Sequence, residues 1–243
     1  MTRTLRALTA TAAVACVLAA CGDGSDGGPV SLPPTEPSET EAPTESESDE
    51  GTESAALPAD CPPLEGTEEV IQQFDAAPPF CLEEDAEYSA VVRTTAGDIT
   101  IELDQEAAPT TVNSFVFLAR NNYFDDTVCH RVIQDFVAQC GDPTATGTGG
   151  PGYSFVDELP EPGDYQIGSI AMANSGPNTN GSQFFIISGP NGAALPPLYN
   201  LFGTVTGASD LDVVAQMNAI GSLDGSGIAS EELRILDVEI IQS

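Results

Sequence analysis

Residues able to do chemistry are concentrated in two short runs. The first is Cys129-His130-Arg131-Val132-Ile133-Gln134-Asp135-Phe136-Val137-Ala138-Gln139-Cys140-Gly141-Asp142. The second passes from Ala171 through Ala173-Asn174 and Asn178-Thr179-Asn180-Gly181-Ser182-Gln183-Phe184-Phe185 to Ile186. Arg131 supplies a fixed fork of N–H donors that stays charged at any working pH. Only Arg93, Arg120 and Arg234 accompany it after residue 20, and lysine is absent. Gln139 and Gln183 add neutral amides that both donate and accept. Such groups hold a carbonyl oxygen or steady charge as it develops, without attacking or carrying protons. No G-x-S-x-G elbow is present, and His130 is the single histidine. Serine-elbow hydrolysis and clustered-histidine metal sites are therefore excluded.

The elements that must position these groups are legible from periodicity. Gln183 and Phe185 are two apart, so a strand aims both at one face while Phe184 and Ile186 aim at the other. Tyr88–Thr94 and residues 98–104 read as strands around the turn Thr95-Ala96-Gly97, with Ile99, Ile101 and Leu103 alternating against Thr100 and Glu102. A helix is expected to open near Pro109, with Val112, Phe115, Val116 and Ala119 on one face. A second is expected over residues 210–219, with Ser209 as its cap, Asp212 completing a capping box and Gly221 just past its end. Short strands and glycine-rich loops make up the rest, closing with a strand over 233–241. The pattern predicts a mainly β barrel or sandwich with helical caps.

Composition narrows the partners. The chain of 243 residues carries a formal net charge of -32, which leaves no basic footprint for nucleic acid. Arg3 and Arg6 precede an apolar run over residues 7–18, too short for a membrane span and suited to a signal peptide. It ends in Leu18-Ala19-Ala20-Cys21, which resembles the bacterial lipobox and marks Cys21 for lipidation. The expected product is a lipoprotein on the outer face of the cell membrane, held by its acyl chains. Residues 21–59 are Ser-, Glu-, Pro- and Thr-rich and read as a disordered tether. Residues 60–87 form an extension containing Cys61 and Cys81, and residues 88–243 form the domain. Cys16 falls in the signal run, and the four cysteines after Cys21 allow three pairings, of which Cys61–Cys81 with Cys129–Cys140 is the most local, with free thiols the alternative. Gly147 through Gly152 satisfies G-x-G-x-x-G, but no strand-turn-helix surrounds it and Met172 stands where an acidic ribose ligand belongs. It is read as a loop.

At the two opening runs the sequence resembles the cyclophilins, most specifically in Asn178-Thr179-Asn180-Gly181-Ser182-Gln183-Phe184-Phe185. The likeness extends over residues 88–243, with the glycine-rich loop at 147–153 and Leu201-Phe202-Gly203. It implies an eight-stranded antiparallel barrel capped by two helices, and a peptidyl-prolyl cis-trans isomerase acting as a monomer on proline-containing exported polypeptides. No cofactor or metal is implied. Arg131 takes the place of the family's catalytic arginine and Gln139 that of a glutamine orienting it. Phe136, Val137, Phe185 and Leu195 line the proline pocket, with Gln183 beside them. Ala173 and Asn174 grip the residue before proline. Three positions depart from the family pattern: Val137 replaces a methionine, Tyr199 a histidine and Ala194 a tryptophan, which predicts weak cyclosporin binding. A proline-segment-binding chaperone or a surface lipoprotein scaffold is the alternative reading.

The register of one hairpin decides whether the site can assemble. A two-residue loop at Gln134-Asp135 would set Cys129 opposite Cys140. A three-residue loop over Gln134–Phe136 sets Arg131 opposite Gln139 and leaves the cysteines one residue out of step. The site favours the second register, with a bulge near Gly141 expected to reconcile the cysteines.

Overall fold

The computed structural model describes residues 58–243. The expected signal segment 1–20, Cys21 and all but the last two residues of the expected tether lie outside the described residues. Nine strands form among them: β1 (Tyr88–Thr94), β2 (Gly97–Leu103), β3 (Thr127–Val128), β4 (Arg131–Val132), β5 (Val137–Cys140), β6 (Ser169–Met172), β7 (Phe184–Ile187), β8 (Leu201–Val205) and β9 (Arg234–Gln242). Three helices join them: α1 (Pro109–Arg120), the single turn α2 (Pro190–Ala193) and α3 (Ala208–Ala219). The fold is the expected curled antiparallel sheet capped by helices. The counts rise by one each because the chain breaks into two short strands around Cys129 and because α2 follows Gly189.

The strand order is β3-β9-β1-β2-β8-β6-β7-β5-β4. Its two edge strands, β3 and β4, are separated in sequence by only Cys129 and His130, so the sheet must curl until its edges approach. Cys129 bonds to Cys140 at that seam. The hairpin takes the three-residue loop, with Arg131 opposite Gln139 and Val132 opposite Ala138. The bulge near Gly141 is not what brings the cysteines together. The β5 ladder runs through Cys140, which faces Phe184, while Cys129 remains bonded to Leu233 at 2.9 Å. The step falls where the chain leaves β3 for β4.

Alternation builds the core as read: Ile99, Ile101 and Leu103 are buried between exposed Asp98, Thr100 and Glu102. The turn is one residue shorter than expected, since Thr94 pairs with Gly97. Phe115 packs with Phe124, Phe184 and Phe202, ring centroids 5.2–5.7 Å apart. The capping box of α3 does not form. The helix begins at Ala208, its cap is Gly207, and Ser209 instead donates to the neighbouring Asp210. Asp210 accepts from the Thr100 N–H at 2.7 Å, tying α3 to β2. Its carboxyl is held below the usual range first by that backbone bond and then by Ser209. The start of α1 is capped across the fold by Glu158, which accepts from the Thr110 and Thr111 N–H groups at 2.8 and 2.9 Å. A carboxylate there satisfies two donors and complements the helix dipole.

Helix α1 is buried well beyond the expected face, from Thr111 through Arg120. The reason is residues 60–87, which make no helix or strand but lie against its outer side. Phe74 meets Phe117 edge-on at 5.0 Å. Asn113 donates to the Pro79 carbonyl and accepts from the Cys81 N–H. Cys61–Cys81 closes this segment into a loop, with Cys81 and Leu82 joining the main core.

Candidate active site

Arg131 opens β4, and its position follows from the hairpin loop. Asp135 takes φ 61°, and Phe136 returns its N–H to the Ile133 carbonyl at 3.2 Å. This brings the Phe136 ring under the Arg131 guanidinium, 5.4 Å from its centroid, within the range of a cation–π contact. Behind the arginine, Gly227 accepts the Val132 N–H through its carbonyl at 2.9 Å. A Cβ at Gly227 would stand 2.8 Å from Arg131 Cγ, on a backbone with φ +81°. Only glycine fits that approach without displacing the arginine stem.

Charge isolates Arg131. Among the described residues, Arg93 is bridged to Asp237 and Glu239, and Arg234 to Glu232. Arg120 is 3% exposed and lies over the Tyr88 ring at 5.8 Å. Arg131 is half-buried and has no carboxylate bridge among the described residues. In a chain this acidic, its donors are left for something other than protein.

A cavity of about 120 Å³ opens beside it, lined by Arg131, Phe136, Val137, Gln139, Ala173, Asn174, Phe185, Leu195 and Tyr199. Every residue expected to bind substrate is there except Gln183. The strand parity behind this is realised in β7. Phe184 and Ile186 belong to the barrel core, while Phe185 and Ile187 belong to a separate cluster with Val137 and Ala171. Tyr199 meets Phe185 edge-on at 5.3 Å. Tyr165, which the sequence did not single out, fixes this wall by donating to the Tyr199 carbonyl at 2.6 Å and accepting from its N–H at 3.1 Å. Nothing in its neighbourhood of glycine and acidic residues marked it in advance.

A second, larger cavity of about 690 Å³ adjoins the first and shares Gln139, Ala173 and Asn174 with it. Gln183 lines this groove. Gln139 donates to Gln183 Oε1 at 3.0 Å and accepts no hydrogen bond from Arg131 among the described residues, and Gln183 donates to the Gly149 carbonyl at 2.8 Å. The loop holding Gly149 is gathered by the buried Asp142 carboxylate, which accepts from the N–H groups of Thr144, Thr146, Gly147 and Gly149. Burial alone would raise the Asp142 pKa; the Thr144 hydroxyl and these backbone donors outweigh it and hold the carboxyl below its usual range. Asn174 donates to the Leu198 carbonyl at 2.9 Å, and Ala173 bonds to the Gln183 carbonyl at 2.8 Å. His130 is pushed below its ordinary pKa by burial, with Asp142 opposing and Arg131 adding. Its Nδ1 has no partner among the described residues.

Among the described residues the arrangement is an apolar slot with one unpaired cation at its mouth, next to a polar groove, and no nucleophile paired with a base. It can hold a small ring and polarise the group attached to it.

Comparison with known proteins accords with this geometry. Residues 89–240 match the family model described as cyclophilin type peptidyl-prolyl cis-trans isomerase/CLD. A probable peptidyl-prolyl cis-trans isomerase B of Mycobacterium leprae is 42% identical over 171 residues, covering 62% of this chain and 57% of that protein. Its Mycobacterium tuberculosis counterpart is 41% identical over 163 residues, covering 60% and 52%. The chain thus spans somewhat over half the length of these curated relatives. A Cryptosporidium parvum cyclophilin type peptidyl-prolyl cis-trans isomerase superposes with a TM-score of 0.57 at 31% identity, covering 64% of this chain and 98% of that one.

Proposed function

The chain belongs to the cyclophilin-type peptidyl-prolyl cis-trans isomerase family, and on that footing we propose that it accelerates rotation about X–Pro bonds in exported polypeptides. The observation that carries the reading is the unpaired Arg131 at the mouth of the pocket formed by Phe136, Val137, Phe185, Leu195 and Tyr199.

The barrier to be lowered is loss of amide resonance, about 18–20 kcal/mol, which X–Pro bonds cross unaided in roughly 10–100 s. The pyrrolidine ring enters the slot, where apolar surface replaces water around it. As the amide twists, its nitrogen lone pair becomes available and the prolyl carbonyl oxygen moves. The Arg131 guanidinium donates to the oxygen and approaches the nitrogen, favouring the twisted form over either planar one. Phe136 keeps the guanidinium in place, Gly227 leaves room for its stem, and Gln139 sets the rim between pocket and groove. Ala173 and Asn174 hold the residue before proline, so that rotation is confined to the prolyl side. No bond is made or broken and no proton is transferred, so neither cofactor nor metal enters.

The same reading places the protein outside the cytoplasm as a monomeric lipoprotein anchored through Cys21. Two features support it. The lipobox-like Leu18-Ala19-Ala20-Cys21 follows a signal-type run, and the two disulfides Cys61–Cys81 and Cys129–Cys140 suit an oxidising compartment.

Cis–trans exchange of a short proline peptide, followed by NMR with wild type and Arg131→Ala, tests the activity. Loss of the arginine is expected to lower kcat/KM by about 10²–10³-fold, the cost of removing one developing-charge donor. Arg131→Lys is expected to recover little, because an ammonium lacks the planar fork. Equal exchange with wild type and Arg131→Ala would end the isomerase reading.

A further inference from the structure

Residues 60–87 precede the family-matched span, which starts at residue 89, yet one of them forms part of the site. Gln73 lines the long groove together with Gln139, Ala173, Asn174 and Gln183. Its place there is built rather than incidental. The Phe74 N–H donates to the Pro151 carbonyl at 2.8 Å, and the Phe74 ring is wedged between Phe117 and Tyr153, with centroids at 5.0 and 6.4 Å. On the other side, Gln72 donates to the Tyr123 carbonyl at 3.1 Å and the Ile71 N–H to the Asn121 carbonyl at 3.0 Å. Gly152 is matched to this docking: with φ +99°, it leaves no room for a Cβ, which would collide with Gln73 Nε2 and the Phe74 carbonyl. The glycine-rich wall of the groove is thus held at one end by Asp142 and at the other by the extension.

We propose that Gln73 is a substrate-contacting specificity residue, reading a polar, hydrogen-bonding side chain two residues before the proline. Ala173 and Asn174 line both cavities. A polypeptide crossing them with its proline ring in the small pocket must send its preceding residues into the groove. There the Gln73 amide offers both a donor and an acceptor in the groove that Gln183 also lines. Its side chain makes no hydrogen bond of its own among the described residues, so both are available to substrate. This inference rests on the proposed isomerase reading for the direction of the bound chain.

The test uses the full chain and two blocked peptides, Gln-Ala-Pro-Phe and Leu-Ala-Pro-Phe, with wild type, Gln73→Ala and Gln73→Met. The ratio of kcat/KM for the glutamine over the leucine peptide is expected to fall about three- to tenfold in both variants, the scale of one net hydrogen bond, with the change in KM. Gln73→Met keeps the packing over Gly152 and removes only the amide. A ratio equal to wild type in both variants overturns the proposal, and so does a wild-type ratio restored by methionine, since packing alone would then account for Gln73. Dissociation constants from NMR titration of the same peptides give the same contrast without turnover. If wild type binds but does not turn over, the isomerase reading fails by itself and the ratio of dissociation constants still decides the role of Gln73.

Discussion

Gln139 faces Arg131 across the β4–β5 ladder, but its amide hydrogen bond goes to Gln183 Oε1 at 3.0 Å. The two glutamines therefore act as one unit, continued by the bond from Gln183 to the Gly149 carbonyl. On the proposed isomerase reading, the pair fixes the rim against which a bound chain is pressed. Removing either partner leaves the other unpaired, so the losses should not add. In a double-mutant cycle, Gln139→Leu and Gln183→Leu are each expected to lower kcat/KM several-fold. The double variant should be little worse than either single, with a coupling of about 0.5–3 kcal/mol. Strict additivity in the cycle would show that the bond carries no functional weight.

Gly227 is expected to act on Arg131 without touching substrate. Gly227→Ala puts a methyl 2.8 Å from Arg131 Cγ on a backbone at φ +81°. The arginine stem must shift, and the left-handed backbone costs about 1 kcal/mol in addition. The expected outcome is a fall in kcat larger than any rise in KM, with a small loss of thermal stability. A purely structural glycine would lower the melting temperature and leave the kinetics of the folded fraction intact.

Two titrating groups push stability in opposite directions with pH. His130 is held below its ordinary 6.5 mainly by burial, so the unfolded chain binds the proton more readily. Its contribution is present above pH 6.5 and is lost as pH falls from there through the folded-state value. His130→Asn is expected to flatten that part of the acid-unfolding curve. Asp125 behaves inversely. Burial first, then the Asp237 and Asp126 carboxylates, push it up from 3.8 to about 6, against a backbone bond from Val238. Its neutral form stabilises the fold below pH 3.8, and that gain is lost as pH rises through about 6. Asp125→Asn is therefore expected to stabilise the protein at pH 7 by about 1 kcal/mol, after allowance for solvent screening of a half-exposed group. The gain should vanish near pH 4. Denaturant unfolding at the two pH values measures it.

The turn that leads into the pocket residue Leu195 lacks the indole of the family pattern. Ala194 is an exposed residue closing α2, immediately before the pocket residue Leu195. Cyclosporin is expected to bind weakly, and Ala194→Trp to strengthen it by restoring apolar contact and an N–H donor. Titration calorimetry of the two proteins decides this; a nanomolar Kd for the wild type would overturn it.

Much of the site was legible because its geometry is local. Arg131 and Gln139 are eight apart around one short hairpin, and the alternation through Gln183, Phe184 and Phe185 assigns pocket and core by parity alone. Those relations depend on side-chain period and loop length, which the chain itself fixes. The apolar alternation of β2 was legible for the same reason. Local reading failed where two or more elements compete for one group. Ser209 looks like a helix cap in sequence, but Asp210 is taken by the Thr100 N–H and the helix starts earlier. The seam at Cys129 depends on β9 holding one end of the cysteine segment and β5 the other.

The sequence by itself determined which residues are candidates to hold a prolyl amide, and which of them share a face. Tertiary structure decided what surrounds them. It set Gly227 behind Arg131, Tyr165 behind Tyr199, and Gln73 from a segment without periodicity into the groove wall. These contacts join residues dozens of positions apart, and nothing in the spacing of a chain encodes which distant surface will cover a face left apolar. Here the outer side of α1 needed covering, the extension closed by Cys61–Cys81 covered it, and Gln73 was carried to the site with it.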